Sequence, residues 1–161
     1  MSKLILDTSI CIDLYNGKLL KAALHLPHEF VLPDVIIAEL IEPAGERLLK
    51  LGFTKEGTSS EETQHVFALR NEYAAPSLND LFALLLAKRN DCYLITGDNT
   101  LRNAAKQEGV KTHGLLWLLD AIVECKILTQ AETANALERI IAEGSWLPKK
   151  ECEARLNKWR K

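Results

Sequence analysis

The apolar positions along this chain fall into short solid runs separated by longer helical patterns. The run Leu4-Ile5-Leu6 is apolar without alternation, which predicts a short strand over Lys3–Leu6 buried on both faces, as in a parallel sheet. Further strands are expected at 30–32, 92–96 and 110–113, and 53–60 reads as a loop with at most a minor strand. Between them the pattern predicts helices over 8–15, 19–26, 60–73, 77–89, 99–108 and 115–124. Another helix starts after Pro33, and Glu42-Pro43 breaks or kinks it. Ser59 with Glu62, and Thr129 with Glu132, have the spacing of capping boxes, and the second opens a helix to Glu143. Pro148 starts a last helix, on which Cys152, Leu156 and Trp159 share one face.

Strands that alternate with helices through short connections predict an α/β fold: a central, mainly parallel sheet of four or five strands flanked by helices, plus C-terminal helices. The expected organisation is a sheet domain over 1–128 and a helical extension over 129–161 packed on the same domain. No segment approaches the length needed to span a bilayer.

Four carboxylates interrupt this pattern. Asp7 ends the run Leu4-Ile5-Leu6, Glu39 is the one charge within Val35–Ile41, Asp80 opens the run Leu81–Leu86, and Asp98 follows Tyr93–Gly97. An ionised carboxylate is costly to bury unless it is paired, protonated or bound to metal. No Lys or Arg lies within these runs. Asp7 and Asp98 sit at the carboxyl ends of predicted strands, Glu39 lies about one turn into the helix after the second strand and Asp80 in the first turn of its helix, so all four can face the sheet edge where α/β folds collect ligands. Converging there, they would form a negative hole suited to Mg²⁺ or Mn²⁺. Such ions activate water and neutralise the charge that develops at a phosphodiester. Thr8, Ser9 and Thr96 lie beside two of the acids and are candidates to orient ligand waters. Each acid also has a purely structural explanation: Asp7 and Asp98 as helix caps, and Asp80 as the second half of a capping box with Ser77. Glu39, expected in mid-helix among apolar neighbours, has the weakest one.

The ordered segments Leu4–Ser9, Leu32–Leu40, Ser77–Asp80 and Leu94–Asp98 resemble the motifs of PIN domains, small α/β nucleases that include the toxins of VapBC toxin–antitoxin pairs. The resemblance runs over about residues 3–113. It implies a metal-dependent endoribonuclease in which Asp7, Glu39, Asp80 and Asp98 are the catalytic, metal-binding acids. RNA would be the substrate, an antitoxin protein the partner if the chain is a toxin, and a homodimer remains open. Many family members carry a further acid after the last motif, where this chain has Asn99, Thr100 and Leu101, and the tail over 114–161 is longer than in the smallest toxins. The alternative is a PIN-like module that binds RNA or protein and cleaves little.

Composition refines this reading. The chain of 161 residues is 47% hydrophobic and 26% charged, with net charge −2, as expected of one globular domain. Residues 146–161 hold six basic and two acidic side chains, so the tail is +4 and the rest of the chain −6. A basic appendage on an acidic body suits phosphate steering, with Arg102, Lys149 and Lys150 as candidate RNA contacts, although a solvated terminal helix has the same composition. With the cation-rich face turned outward, Arg155, Lys158, Arg160 and Lys161 are expected to face solvent. Four cysteines without a CxxC pair, and no signal-like N-terminus, are read as reduced thiols of a cytoplasmic protein. His25 and His28, with no third ligand nearby, read as two surface histidines rather than a zinc site. Two rivals fail on their residues: a haloacid dehalogenase-type phosphatase needs an acid where Ser9 stands, and a phosphoreceiver domain needs an acceptor Asp after a mid-chain strand, whereas Asp80 follows none.

Overall fold

Five segments form strands in a computed structural model that describes residues 1–161: β1 (Ser2–Leu6), β2 (His28–Pro33), β3 (Thr54–Glu56), β4 (Tyr93–Ile95) and β5 (Thr112–His113). All pair in parallel, in the order β3-β2-β1-β4-β5. Successive strands therefore step outward from β1 in one direction, and β4 then returns to its other side. Leu4, Ile5 and Leu6 are completely buried, as a central strand covered on both faces requires.

Ten helices connect and cover the sheet: α1 (Thr8–Asn16), α2 (Leu20–Ala23), α3 (Asp34–Glu39), α4 (Gly45–Leu51), α5 (Ser60–Glu72), α6 (Leu78–Asn90), α7 (Asn99–Gln107), α8 (Leu115–Glu124), α9 (Gln130–Ala142) and α10 (Lys149–Trp159). Helix α6 packs on β1, β2 and β4, with α5 on its outer side. That double contact explains why Leu81–Ala87 are buried without interruption and show no amphipathic period. Ser77 caps α6 by accepting from the Asp80 N–H at 3.1 Å. Both expected capping boxes form, at Ser59/Glu62 and at Thr129/Glu132.

Helix α4 was not anticipated from the sequence. It is short, begins with Gly45 and follows Pro43, which masks its Leu48 and Leu51 periodicity. The glycine is a packing requirement, because a Cβ there would stand 2.1 Å from the Ile37 carbonyl oxygen. The close approach locks the end of α3 against the start of α4. Gly52 then closes α4 at φ 125°, a conformation that favours glycine.

The C-terminal helices share the main core rather than forming their own. Ala134, Ala136, Leu137 and Ile140 of α9 and Cys152 and Trp159 of α10 belong to the same continuous cluster of 43 buried residues as the sheet. Two of the tail cations are paired: Arg155 is half-buried, contrary to the expectation above, whereas Arg160 stays exposed. Arg155 makes a bidentate pair with Asp120 of α8 (Nε–Oδ1 2.8 Å, Nη2–Oδ2 2.7 Å), and Arg160 Nε donates to Glu138 of α9 at 2.7 Å. The bridge partners lie far off in sequence, where charge counting does not find them. His28 also differs from its reading as a surface residue: it opens β2, is half-buried, and lies beside the Trp117 ring at 6.0 Å between centroids. The Leu115–Leu119 run is a core helix, with only Trp117 partly exposed. No helix is long and apolar enough to cross a membrane.

Candidate functional site

The sheet order places its switch point between β1 and β4, and a crevice opens at the carboxyl ends of strands at such a point. Asp7 follows β1 directly, and its N–H donates to the Ile95 carbonyl of β4 at 3.3 Å. Asp98 stands three residues beyond the end of β4 and caps α7. Asp80 lies in the first turn of α6, and Glu39 ends α3. All four acids line one open cleft of about 250 Å³, together with Thr8, Ser9, Ile12 and Ser77. No Lys, Arg or His lines it, and none of the four acids takes part in an ion pair, although six pairs form elsewhere.

The acids differ in burial. Asp7 alone is fully buried, Asp80 and Asp98 are partly so, and Glu39 is exposed. The expectation of a mid-helix, buried Glu39 is therefore corrected. Helix α3 is only 6 residues long and Glu39 is its last, because Leu40 turns to extended backbone (φ −67°, ψ 128°) well before Pro43. Of its apolar neighbours in sequence, Ile36 and Leu40 are buried, whereas Ile41 is exposed.

Neutral donors hold three of the carboxylates. Asp7 Oδ1 accepts from the Ile10 N–H at 3.0 Å and the Ser9 hydroxyl at 2.9 Å, and its Oδ2 accepts from the Thr96 hydroxyl. Thr96 Oγ1 in turn accepts from the Asp98 N–H at 3.0 Å, so one hydroxyl links the two strand ends. Glu39 Oε2 accepts from Thr8 Oγ1 at 2.9 Å and Asn79 Nδ2 at 3.1 Å. Asp98 Oδ1 accepts from the Thr100 N–H at 2.9 Å and its hydroxyl at 2.8 Å. Thr8, Ser9 and Thr96, expected to orient water, thus spend their hydroxyl hydrogens on the acids themselves. Asn79 and Thr100 were given no role from the sequence. Asn79 lies within the motif preceding Asp80, and that position was its only signal.

The capping roles of Asp7 and Asp98 are real, since each accepts from the backbone of the helix that follows. The capping box proposed for Asp80 forms only by its Ser77 half, so the Asp80 carboxylate is left to the cleft. Burial raises the Asp80 pKa from the usual carboxylate value to about 6, with the charges of Asp7, Asp98 and Glu39 adding to it and Ser77 opposing. Burial also raises Asp7, against the pull of its Thr96, Ile10 and Ser9 hydrogen bonds.

Of the expected RNA contacts, Arg102 lies next to this region: its guanidinium donates to Asn99 Oδ1 at 2.9 Å and to the Thr96 carbonyl at 3.0 Å. Lys149 and Lys150 are exposed at the start of α10 and do not line the cleft.

The family model DUF3368, described as a PIN domain, matches residues 3–161. The chain belongs to the PIN-domain family. The match extends through α9 and α10, so the helical tail is part of this PIN-domain pattern and not only the region carrying the acid motifs. Among solved structures, VapBC2 from Rickettsia felis, bound to a DNA fragment from the promoter, is 16% identical with a TM-score of 0.51. It covers 70% of this chain and 98% of the other. A PilT N-terminus domain protein from the archaeon Sulfolobus solfataricus P2 is 17% identical with a TM-score of 0.52, covering 76% of this chain and 94% of the other. At these identities the likeness is one of fold. No curated protein matches the chain.

Proposed function

We propose that this PIN-domain protein is a divalent-metal-dependent ribonuclease that hydrolyses phosphodiester bonds of RNA, with Asp7, Glu39, Asp80 and Asp98 as its metal-binding and catalytic acids. The observation that carries this reading is the cleft itself: four carboxylates without one cation among its lining residues, at the switch point of a parallel sheet.

The donor set fits Mg²⁺ or Mn²⁺ in one particular way. No three acidic, histidine or cysteine side chains stand together as a direct ligand cage. A structural zinc site would need such a cage. Mg²⁺ does not, since it keeps several waters and binds through one or two carboxylates. An open cleft of about 250 Å³ lined by four acids has room for a hydrated ion. When bound, the ion supplies activated water and neutralises charge on the phosphate. The chain's own residues do the positioning. Ser9, Ile10 and Thr96 fix the orientation of Asp7, Thr8 and Asn79 fix Glu39, and Thr100 fixes Asp98. Their neutrality leaves the negative charge of the cleft unspent.

The likeness to VapBC2 supports, as part of this proposal, a role as the toxin of a toxin–antitoxin pair with an antitoxin protein as partner, in the cytoplasm. The test is cleavage of labelled single-stranded RNA by purified protein. Activity should require Mg²⁺ or Mn²⁺, vanish with chelator, and fall at least a hundredfold in Asp7→Asn and in Asp98→Asn while circular dichroism is unchanged. Cleavage at the parent rate by both variants would refute the assignment. RNA binding with no cleavage under any metal would favour a binding module instead.

A further inference from the structure

A second cavity adjoins the acid cleft. Gly97 and Asn99, the neighbours of Asp98, line a groove of about 650 Å³ whose far side is Trp146–Pro148 and the first turns of α10. The two cavities therefore meet at the Asp98 loop. We infer that this groove holds the unpaired nucleotides flanking the cleavage position, with Trp146 as the surface on which a base stacks. The inference rests on the ribonuclease reading above and adds to it a nucleotide-binding groove outside the acid cleft, with Trp146 as its stacking contact.

Three features of the groove support that occupant. The first is Trp146. Trp117 and Trp159 are packed into the fold, whereas Trp146 is 96% exposed. A fully exposed indole contributes nothing to the core, and base–aromatic stacking is the sequence-tolerant way proteins hold single strands. The second is the aromatic lining beside it, where the His113 and Trp117 rings stack with centroids 4.2 Å apart and 6° between planes. The third is the placement of charge. Arg102 is hydrogen-bonded only to neutral acceptors, so its full charge is available beside the acid cleft. Arg155 is neutralised by Asp120, and Glu151 has no ionic partner. Phosphates are thus favoured at the Arg102 end, and uncharged bases at the Trp146 end near Glu151. A duplex would fit this arrangement poorly, because its bases are already stacked on one another.

The test compares the parent, Trp146→Ala and Trp146→Phe as full-length proteins. Fluorescence anisotropy follows binding of a labelled 12-nucleotide single-stranded RNA of mixed sequence, and of the same RNA annealed to its complement, in EDTA so that no turnover occurs. Intrinsic tryptophan emission is read in the same titration. Trp146→Ala should weaken single-strand binding roughly tenfold. Trp146→Phe should recover most of that loss, duplex binding should move by less than twofold, and the melting temperature should not change. Single-stranded RNA should quench the parent's emission, and most of that quench should be lost in both variants, with Trp117 in the groove lining supplying any remainder. Parent-like single-strand affinity in Trp146→Ala would overturn the inference, as would an equal loss for the duplex. It would leave the groove to another occupant, such as a protein partner. The two readings fail separately. If the parent shows no metal-dependent cleavage yet binds single strands through Trp146, the ribonuclease reading falls and the groove stands. If the parent cleaves and Trp146→Ala binds as the parent does, the groove falls alone.

Discussion

Replacing Asp80 by Asn should make the metal-free protein more stable at neutral pH. The Asp80 pKa is raised from 3.8 to about 6, first by burial and then by the charges of Asp7, Asp98 and Glu39. The folded state therefore binds more protons than the unfolded chain between those two values, so stability falls as pH rises through this window and the cost is complete above about pH 6. A shift of about two units at about 1.4 kcal/mol each gives roughly 3 kcal/mol as an upper limit. Asp80 is partly open to solvent, and screening reduces the figure to about 1 kcal/mol. Urea unfolding followed by circular dichroism in EDTA should accordingly place Asp80→Asn about 1 kcal/mol above the parent at pH 7 and level with it near pH 4. With Mg²⁺ at ten to a hundred times its dissociation constant, the parent should gain about 1.4–2.7 kcal/mol. The variant should gain much less, which reverses the order. An Asp80→Asn protein that is less stable than the parent in EDTA at pH 7, or that gains as much from Mg²⁺, would refute the argument that an uncompensated carboxylate is held here for a cation.

Thr96→Val removes a hydrogen bond that lowers the Asp7 pKa, so the acid limb of the cleavage pH profile should move to higher pH; an unmoved limb would show that Asp7 is not the group reported. Gly45→Ala forces a methyl onto the Ile37 carbonyl and should cost about 1–3 kcal/mol in urea unfolding, with loss of cleavage because α3 carries Glu39 at its end. Trp159→Ala should cost about 3–4 kcal/mol by the same measurement, since the ring is 4% exposed within the shared core, whereas removal of an independent tail would leave the main transition unchanged. Arg155→Met should cost about 1 kcal/mol through loss of the bidentate Asp120 pair, and its salt dependence should be weak because the pair is partly buried.

Local patterns made much of this molecule legible. The solid runs of β1 and β2 and the strand before Asp98 announced a parallel sheet, and the two Ser/Thr–Glu capping boxes set the starts of α5 and α9. The pattern failed where tertiary contact decides. Helix α4 exists because Gly45 lets two backbones touch, and no propensity reveals that. The α6 helix is expected over 77–89, but its continuous burial, which hides any amphipathic period, is explained only by α5 on its outer side. The tail's basic count suggested a free cationic face, but Arg155 and Arg160 are committed to acids on α8 and α9 that lie distant in sequence.

The site was legible for a different physical reason. Apolar flanks marked all four acids, yet only Asp7 is buried as those flanks suggested, and Glu39 is exposed at a helix end. What unites them is their shared edge of the sheet, which the strand–helix alternation already implied. The hydroxyl and amide donors around them could not be ranked from sequence, because Thr8, Ser9, Asn79, Thr96 and Thr100 are ordinary capping and turn residues. Their placement shows how the fold keeps four carboxylates together without a cation. Asp7, Glu39 and Asp98 are held by groups that hydrogen-bond but carry no charge, so their orientation is fixed while the cleft's field is left whole, and the Asp80 carboxylate is left to the cleft. A Lys or Arg in any of these places would stabilise the metal-free protein and fill the site with its own positive charge. The raised pKa of Asp80 is the cost of leaving that place open.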